Sequence, residues 1–338
     1  MIVLGIESSC DECAAGIVED GTKIRSNVVA TQIPFHAAYN GVVPEIASRK
    51  HTEWIDTVVR ESLAEAGITP DTVDAVAAAA QPGLLGSLVV GLTFAKAFAW
   101  ARNLPFIAVD HMLAHLYAAQ LSGEKPDYPF LGLLVSGGHT IICRADSFDS
   151  VTVLGTTIDD AVGESFDKVS KFYGFGYPGG KFIDDLAKTG DPAAFRFPLP
   201  NLYKGAHRYD VSYSGLKTAV VNQKEQFRLK NESTPADLAA SFQKTAIDIL
   251  LRALFRAVED TGLSTVVIGG GVAANSYLRD CLKNHPDIRS IMPPPILCGD
   301  NGAMVAGIAY HYLIRGDRSP LTVRASARVS NFRRQLLK

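Results

Sequence analysis

The sequence has no excess of either charge. Its 338 residues include 33 Lys and Arg against 35 Asp and Glu, which gives a formal net charge of −2. A strongly basic chain is typical of proteins that bind nucleic acid through their overall charge, and this class is excluded here. Any contact with RNA therefore needs a local basic surface or a partner.

Long hydrophobic runs are also missing. The longest, residues 84–95, is interrupted by Gly and Ser and ends at Lys96. It falls short of the roughly 20 apolar residues that span a bilayer. The first residues, MIVLGIE, lack the positively charged start of a secretory signal. We therefore expect a soluble, cytoplasmic protein without membrane contact.

Cysteine is scarce and irregularly placed. The five residues Cys10, Cys13, Cys143, Cys281 and Cys298 form an odd set, which predicts reduced thiols rather than a disulfide framework. The C-x-x-C spacing at residues 10–13 has no second pair and makes a poor zinc site. With 47% hydrophobic residues the chain can bury a core, and its length allows two domains.

Two histidines four residues apart form the strongest candidate site. His111 and His115 would lie on one face of a helix, because four residues are little more than one turn. Imidazole binds zinc and iron(II), and a catalytic site needs a third protein ligand and an open position. Asp300 is a candidate third ligand, although N-capping of the last helix would also explain it. A peptidase is not indicated, because Met112 stands where the metalloprotease motif has Glu.

The chain contains an internal duplication. Apolar runs at residues 2–7, 14–18 and 23–30 predict three strands joined by turns, and runs at 130–135, 140–143 and 151–154 repeat this arrangement. We expect an α/β protein of two related lobes facing each other across a cleft. The turn at residues 136–138, SGG, offers backbone N–H groups to phosphate, although a plain hairpin turn would have the same sequence.

Further polar and glycine-rich turns follow the predicted elements. Asp159 and Asp160 would begin a helix over residues 158–172, where the helix dipole alone explains them. Asp167 lies beyond that first turn and is predicted to bind a ribose or substrate hydroxyl. A buried strand at residues 265–268 runs into GGGVAAN, where Asn275 is placed to hydrogen-bond a nucleotide.

One segment is a candidate RNA-facing surface, and a solvated basic face is the alternative. It interleaves basic and aromatic side chains: Arg196, Lys204, Arg208, Lys217, Lys224, Arg228 and Lys230 with Phe197, Tyr203, Tyr209 and Tyr213. On α2, expected over residues 44–66, Arg49 and His51 are expected to lie on a solvated face.

Taken in order, ten segments of the chain resemble the TsaD family of tRNA adenosine threonylcarbamoyltransferases. They are ESSCDE (7–12), GVVPEIASR (41–49), PGLLG (82–86), HMLAH (111–115), VSGGHT (135–140), DDAVGESFDK (159–168), YPGG (177–180), SYSGLKT (212–218), GGGVAAN (269–275) and DNGA (300–303). The resemblance implies the two-lobed, actin-like and sugar-kinase-like (ASKHA) ATPase fold. It assigns residues 1–109 and about 301–325 to the N-terminal lobe, 110–300 to the C-terminal lobe with most of the nucleotide site, and 326–338 to a tail.

The resemblance also implies a reaction and its machinery. The threonylcarbamoyl group would pass from threonylcarbamoyl-AMP to the exocyclic amine of the adenosine next to the anticodon, on its 3′ side, in tRNAs that read codons beginning with A. One divalent metal per subunit, iron(II) or zinc, would be held by His111, His115 and Asp300. The residues implied to line the adenylate are Leu134, Val135, Ser136, Gly137, Gly138, Asp167, Gly180, Asp184 and Asn275. Asp11, Glu12 and His139 are candidates for the base that takes the amine proton.

The resemblance finally implies partners. These are tRNA, a TsaB subunit as heterodimer partner, the ATPase TsaE, and TsaC as the source of the adenylate. Two alternatives stay open, a small-molecule kinase of the same fold and an inactive scaffold paralogue. A kinase gives no reason for the two histidines, and an inactive paralogue would have lost the metal ligands.

Overall fold

The computed structural model describes residues 1–39, 41–202, 204–223, 234–328 and 332. The strands are β1 (Ile2–Glu7), β2 (Glu12–Glu19), β3 (Lys23–Thr31), β4 (Ala75–Gln81), β5 (Phe106–Asp110), β6 (Phe130–Val135), β7 (Thr140–Ala145), β8 (Val151–Thr156), β9 (Thr265–Gly269) and β10 (Arg289–Ile291). The helices are α1 (Ile33–Ala37), α2 (Pro44–Glu65), α3 (Leu85–Arg102), α4 (His111–Ala118), α5 (Val162–Tyr173), α6 (Gly179–Ala187), α7 (Ser214–Asn222), α8 (Pro235–Thr261), α9 (Ser276–Lys283) and α10 (Gly302–Arg315).

The described residues form two compact units. The first contains Met1–Pro126, Ser147–Ser150 and the described residues from Pro293 onward, and the second contains Asp127–Asp146 and the described residues of Val151–Met292. The sequence-based boundaries lay elsewhere, with residues 110–126 and 293–300 in the second lobe. The structure groups these stretches with the first unit, where α4 packs on α10 and β5 pairs with β4.

The first unit is built on a five-stranded sheet in the order β3-β2-β1-β4-β5. β1, β2 and β3 are antiparallel neighbours, whereas β4 runs parallel to both β1 and β5. β1 and β4 are buried over nearly their whole length, as expected for apolar strands in the middle of a sheet covered by helices. The core lies between this sheet and α2 and α3, where Ile55, Val59, Leu63 and Leu92 pack on Ile6 and Val76.

Helix α10 lies directly against the backbone of the first sheet. A Cβ on Gly302 would stand 2.1 Å from the backbone N of Gly16, and a Cβ on Gly5 would stand 2.3 Å from the carbonyl oxygen of Gly302. Gly5 and Gly16 face each other across β1 and β2. Only glycine permits so close an approach. This contact fixes where the first turn of α10 lies relative to Glu7, the last residue of β1.

The second unit repeats the same sheet arrangement. Its strand order is β10-β9-β6-β7-β8. β6, β7 and β8 are antiparallel neighbours, and β9 runs parallel to both β6 and β10. The predicted duplication of strand, turn and strand is confirmed, because β6 to β8 stand to the second sheet as β1 to β3 stand to the first.

Helix α5 begins later than the sequence predicted. It starts at Val162 rather than at residue 158. Asp159 and Asp160 precede it, so they do not form its first turn, and each has specific partners besides the helix dipole. Asp159 accepts hydrogen bonds from the backbone N–H of Tyr213, at 2.8 Å, and from the hydroxyl groups of two serines. These hydrogen bonds connect the turn before α5 with the start of α7.

No helix among the described residues is both long enough and apolar enough to cross a membrane.

Candidate functional site

The two histidines lie where the sequence predicted them, one turn apart on α4. β5 leads directly into this helix, and Asp110 caps it by accepting hydrogen bonds from the backbone N–H of Met112 and Leu113. His111 and His115 are 8% and 2% exposed. Their ring centroids are 4.5 Å apart at an interplanar angle of 78°. The strand end and the cap thus fix two buried imidazoles at adjacent positions.

Asp300 joins the two histidines. Its Oδ1 lies 3.0 Å from Nε2 of His115 and 3.6 Å from Nε2 of His111. The N-cap of α10 is Asn301, whose side chain accepts a hydrogen bond from the backbone N–H of Met304. Capping therefore does not explain Asp300, and the alternative of a third ligand is the one that the geometry favours.

Glu7 holds the other side of His111. It is fully buried at the end of β1, and its Oε2 lies 2.9 Å from Nδ1 of His111. Ser9 Oγ lies 3.2 Å from the same nitrogen and 3.4 Å from Oδ2 of Asp300. A carboxylate that accepts the Nδ1–H of a histidine orients its ring and raises its basicity, an arrangement common behind metal ligands. The Nε2 of His111 is left to face Asp300.

The charges of the cluster reinforce one another. Burial disfavours the imidazolium form of His111, but the carboxylates of Glu7 and Asp300 outweigh burial and raise its pKa to about 9. Burial also opposes ionisation of Asp300, yet the two histidines hold its pKa well below its ordinary value. A proton thus occupies His111 at neutral pH when no cation is bound, and a metal ion would have to displace it.

The donor set fits a divalent metal ion. The ligand atoms of His111, His115 and Asp300 all lie within 4.8 Å of one another, and no other such group is found among the residues that the structure describes. The Nδ1 of His115 is buried without a hydrogen-bond partner in that part of the chain. Two imidazoles and one carboxylate form a set that binds iron(II) or zinc and leaves positions open for substrate.

The acidic turn between β1 and β2 lies beside this cluster. Glu12 accepts a hydrogen bond from Thr31 Oγ1 at 3.3 Å. Burial, together with the charges of Asp11 and Asp300, raises the pKa of Glu12 to about 9. Asp11 is 9% exposed. Glu12 is therefore close enough to Asp300 to be influenced by its charge.

The cysteine pair of this turn shows no sign of redox chemistry. Burial raises the pKa of the Cys13 thiol to about 12, and burial likewise raises that of Cys10 above its ordinary value. A reactive cysteine needs the opposite shift, towards the thiolate.

In the second unit, the glycine turn after β6 is open. Leu134 and Val135 end the strand, and Ser136 accepts a hydrogen bond from the backbone N–H of His139 across the turn. Gly137 and Gly138 are exposed, and a Cβ on either would meet nothing within 4 Å. Gly270, at φ 95°, approaches the same strand end: its Cβ would stand 2.4 Å from the carbonyl oxygen of Val135. The two glycine-rich turns thus lie side by side at the ends of β6 and β9.

Helix α5 connects this turn to Asp167. Its first turn contains Gly163, where a Cβ would stand 2.6 Å from the carbonyl oxygen of Ser136. One turn later, Asp167 accepts a hydrogen bond from the backbone N–H of Gly179 at 2.7 Å, at the start of α6. Asp167 therefore has a structural role that the sequence did not reveal. A Cβ on the next residue, Gly180, would meet nothing within 4 Å, so backbone is accessible there.

Asp184 and Asn275 belong to one hydrogen-bond network. Asp184 on α6 accepts from the backbone N–H of Ser276 at 3.1 Å, from its hydroxyl at 2.7 Å and from the Asn275 amide at 3.2 Å. Asn275 caps α9 by accepting from the backbone N–H of Leu278, and it donates to Gln243 at 2.8 Å. The network ties α6, α8 and α9 together, and Asn275 is only 7% exposed.

The basic segment is less available for RNA than the sequence suggested. Arg208 pairs with Asp260 at 2.5 Å, and Lys217 pairs with Asp160 at 2.9 Å. Tyr213 is fully buried. Four of its members, Tyr203, Lys224, Arg228 and Lys230, lie outside the described residues. Those internal ion pairs favour the alternative of a solvated face for Arg208 and Lys217.

Sequence reasoning left two residues of the metal cluster without a role. Glu7 and Ser9 appeared only within the ESSCDE segment that carries part of the family resemblance. A signal was present, because a carboxylate at the end of the apolar run of residues 2–7 would be buried and would need a partner. Its partner, His111, is 104 residues away in the sequence, and only the pairing of β1, β4 and β5 brings the two together.

Comparison with known proteins gives matches over nearly the whole chain. A family model described as TsaD, tRNA N6-adenosine threonylcarbamoyltransferase, matches residues 23–307. A protein named tRNA N6-adenosine threonylcarbamoyltransferase from Treponema denticola is 64% identical over 98% of this chain and 98% of its own. Proteins of the same name from Treponema pallidum and Borrelia hermsii are 57% and 49% identical, over 98% of this chain and 94% and 98% of theirs.

Solved structures of low sequence identity share the fold. HypF of T. kodakarensis gives a TM-score of 0.60 at 14% identity, covering 93% of this chain and 48% of that chain. The (R)-2-hydroxyglutaryl-CoA dehydratase component A of Acidaminococcus fermentans gives 0.57 at 13%, covering 93% and 99%. The predicted α/β fold of the ASKHA class is confirmed. From the model match and the relatives at 49–64% identity, the chain belongs to the TsaD family, the tRNA N6-adenosine threonylcarbamoyltransferases.

Proposed function

We propose that this chain transfers the threonylcarbamoyl group from threonylcarbamoyl-AMP to the exocyclic amine of the tRNA adenosine next to the anticodon, and that it does so at a metal centre of His111, His115 and Asp300. The observation that carries the proposal is the convergence of the ligand atoms of two buried histidines and a half-buried aspartate within 4.8 Å, in a member of the TsaD family. The metal would be iron(II) or zinc, since both accept this donor set.

The side chains around the ligands prepare them for a cation. Glu7 accepts the Nδ1–H of His111 and so directs Nε2 of that ring towards Asp300. Asp300 is held ionised by the two histidines and supplies negative charge. A bound divalent ion would polarise the carbamoyl carbonyl and stabilise the charge that develops there. Ser9, within 3.4 Å of Asp300, keeps that carboxylate oriented.

The transfer itself exchanges one bond for another. The amine nitrogen of adenosine forms a bond to the carbamoyl carbon, the bond from that carbon to the phosphate oxygen breaks, and AMP leaves. The amine must lose a proton. We propose Asp11 and Glu12 as candidate bases, because both are carboxyl groups of the turn that begins at Ser9, whose hydroxyl lies 3.4 Å from Asp300. With its pKa raised to about 9, Glu12 carries a proton at neutral pH, so it must lose that proton before it can act as the base.

For the adenylate we propose the glycine turns of the second unit. The exposed backbone at Gly137 and Gly138 offers N–H groups to phosphate, and Leu134, Val135 and Ser136 line the strand end beside it. Asp167, Gly180, Asp184 and Asn275 would complete the site. The hydrogen bonds that Asp167, Asp184 and Asn275 make to backbone and to one another support a role in shaping the site as well as in contacting the ligand.

We further propose tRNA as the acceptor, TsaB as a heterodimer partner, TsaE as an accessory ATPase and TsaC as the source of the adenylate. These partners follow from membership of the family, and so does a cytoplasmic location.

The proposal can be tested by reconstitution. Unmodified tRNA is incubated with this chain, its partners and threonylcarbamoyl-AMP, and the nucleosides are analysed by mass spectrometry. We expect threonylcarbamoyladenosine with the wild type, and loss of at least about a hundredfold in rate, with loss of bound metal, for His111→Ala. The matched control is His285→Ala, which changes a histidine of the second unit whose ring packs against Phe255. This variant should keep the wild-type rate and the bound metal. Modification by His111→Ala at the wild-type rate would refute the metal centre.

A further inference from the structure

His51 does not lie on a solvated face, where the sequence placed it. It is fully buried on the inner side of α2, and its Nε2 lies 3.0 Å from the carbonyl oxygen of Cys10. A carbonyl oxygen only accepts, so Nε2 carries the hydrogen and donates it. Burial lowers the pKa of His51, against the opposing charges of Glu7, Asp11 and Asp300, and this keeps the imidazole neutral. Its Nδ1 has no hydrogen-bond partner among the described residues.

The carbonyl that His51 holds is the middle one of three. The carbonyl oxygen of Ser9 accepts from the backbone N–H of Leu84 at 2.7 Å, and that of Asp11 accepts from the backbone N–H of Gln32 at 3.0 Å. Three successive carbonyl groups are thus tied to three different elements. The outer two ties are backbone to backbone. The central tie alone comes from a side chain, so it alone can be removed by a substitution that leaves the backbone chemistry unchanged.

This turn carries the groups nearest to the metal ligands. Ser9 Oγ lies 3.2 Å from Nδ1 of His111 and 3.4 Å from Oδ2 of Asp300. Asp11 and Glu12 follow Cys10 in the chain. Burial, together with the charges of Asp11, Asp300 and Glu12, raises the pKa of the Cys10 thiol. A rotation of the Cys10 peptide would move Ser9 on one side and Asp11 on the other. Sites of this kind lose activity when supporting groups let them shift by a fraction of an ångström to an ångström.

We propose that His51 is a positioning residue for the transfer reaction: its Nε2–H holds the Cys10 carbonyl and thereby keeps the turn of residues 9–12, the acidic turn, in place beside His111 and Asp300. The inference rests on the proposed function, since it assigns His51 to the same site. In this role His51 acts through the Cys10 carbonyl and not by contact with substrate or metal. Supporting groups behind metal ligands commonly contribute about 10- to 100-fold in activity or metal affinity.

Two substitutions at one position separate the hydrogen bond from the packing. His51→Phe keeps a flat ring of similar size and removes the donor. His51→Gln keeps an N–H donor at about the reach of Nε2. The matched control is His36→Phe: His36 is also fully buried, it also has one unpartnered ring nitrogen among the described residues, and its Nδ1 accepts from Val43 N–H rather than contacting the acidic turn.

The experiment measures kcat and KM for tRNA in the reconstituted reaction, and amide hydrogen exchange of residues 9–12 in the metal-free chain. For His51→Phe we expect kcat to fall by about 10- to 100-fold, with KM within about twofold of wild type and with faster exchange of the acidic turn. His51→Gln should recover most of kcat and of the protection. His36→Phe should leave both near wild type.

The opposite results are equally definite. If His51→Phe keeps wild-type kcat and wild-type exchange, or if His51→Gln is as impaired as His51→Phe, the positioning role is overturned. Unfolding of both His51 variants, with a folded His36→Phe, would assign His51 to the fold alone and overturn it as well. Failure of the proposed function is distinguishable, because then the wild type itself forms no threonylcarbamoyladenosine, while the exchange data still report on the turn.

Discussion

Single residues decide the protonation of the metal centre. Glu7 and Asp300 raise the pKa of His111 to about 9, so the metal-free centre carries a proton that a cation must displace. His115 has a different environment, since its Nδ1 meets no partner in the described part of the chain. The two histidines of one motif therefore have different partners: His111 contacts Glu7 and Ser9 through Nδ1 and faces Asp300 through Nε2, whereas His115 contacts Asp300 through Nε2.

Glu7→Gln tests this coupling. In the wild type, metal affinity should rise by about tenfold per pH unit up to about pH 9, because binding releases the His111 proton. Removing the Glu7 charge lowers the pKa of His111, so the variant's affinity should level off at a lower pH. Chelator competition with zinc between pH 6 and 9 measures both slopes. Glu45→Gln, an exposed glutamate on α2, should behave as wild type. Identical slopes for Glu7→Gln and wild type would contradict the coupling.

At the scale of elements, close packing of α10 on β1 and β2 brings Asp300 to the histidines. Asn301 caps the helix and Asp300 does not, so two adjacent residues divide the tasks of folding and binding. The glycines at positions 5, 16 and 302 allow the backbones to touch, and the site inherits its geometry from that contact. A weakened N-cap of α10 should therefore lower mainly the free energy of unfolding, whereas a displaced α10 should also weaken metal binding.

Asn301→Ala and Asp300→Ala should separate these tasks. Loss of the cap costs about 1 kcal/mol of stability, so Asn301→Ala should lower the free energy of unfolding by that order while binding metal with little change. Asp300→Ala removes a ligand and should abolish stoichiometric metal binding while α10 stays capped. Chemical denaturation and metal analysis of both variants provide the comparison. If Asn301→Ala loses the metal and Asp300→Ala retains it, the assignment of capping to Asn301 and of metal binding to Asp300 is overturned.

Gly16→Ala should damage both fold and site. Its Cβ would stand 2.4 Å from the backbone N of Ala303, so α10 must move away from the sheet. Overpacking of this kind costs about 1–3 kcal/mol, and displacement of Asp300 should weaken metal binding as well. Gly215→Ala on α7 is the matched control, since its Cβ meets nothing within 4 Å and a helical alanine is favoured by up to about 1 kcal/mol. Equal stability of the two variants would show that the contact is looser than the structure has it.

For the whole molecule, the sequence predicted the duplicated strand arrangement and the two histidines one turn apart on a helix, because these depend on local patterns. Apolar runs gave the strands, and a four-residue spacing gave the histidine pair. The sequence did not reveal which residues far apart in the chain contact each other. Three such contacts are Glu7 with His111, His51 with the Cys10 carbonyl, and Asp159 with the start of α7. Each pairs a polar group with a partner about 40 to 100 residues away, and only the assembled sheets determine which partner that is.

The stability of the metal-free chain should fall as the pH rises from 6.5 to 9. His111 and Glu12 both have a folded-state pKa of about 9, above their ordinary values of 6.5 and 4.5, so the folded state binds more protons than the unfolded one in this window. The lowered pKa of Asp300 adds stability that is lost only in acid. Saturating zinc should make the slope shallower, because the metal ion displaces the His111 proton and so removes the contribution of His111 to the pH dependence. Thermal unfolding at pH 6.5 and pH 9, with and without zinc, measures how stability changes with pH. Equal pH dependence with and without zinc would contradict the prediction.

The most direct test of the metal-centred transfer is a single-turnover reaction with enzyme stripped of metal and then reloaded in known amounts, together with its partners. Threonylcarbamoyladenosine in tRNA and released AMP are measured in the same samples. We expect the two products in equal amounts, at a rate proportional to the metal bound and near zero in the stripped enzyme. Transfer at full rate by stripped enzyme, in the presence of chelator, would contradict the assignment of His111, His115 and Asp300 as the centre of the reaction.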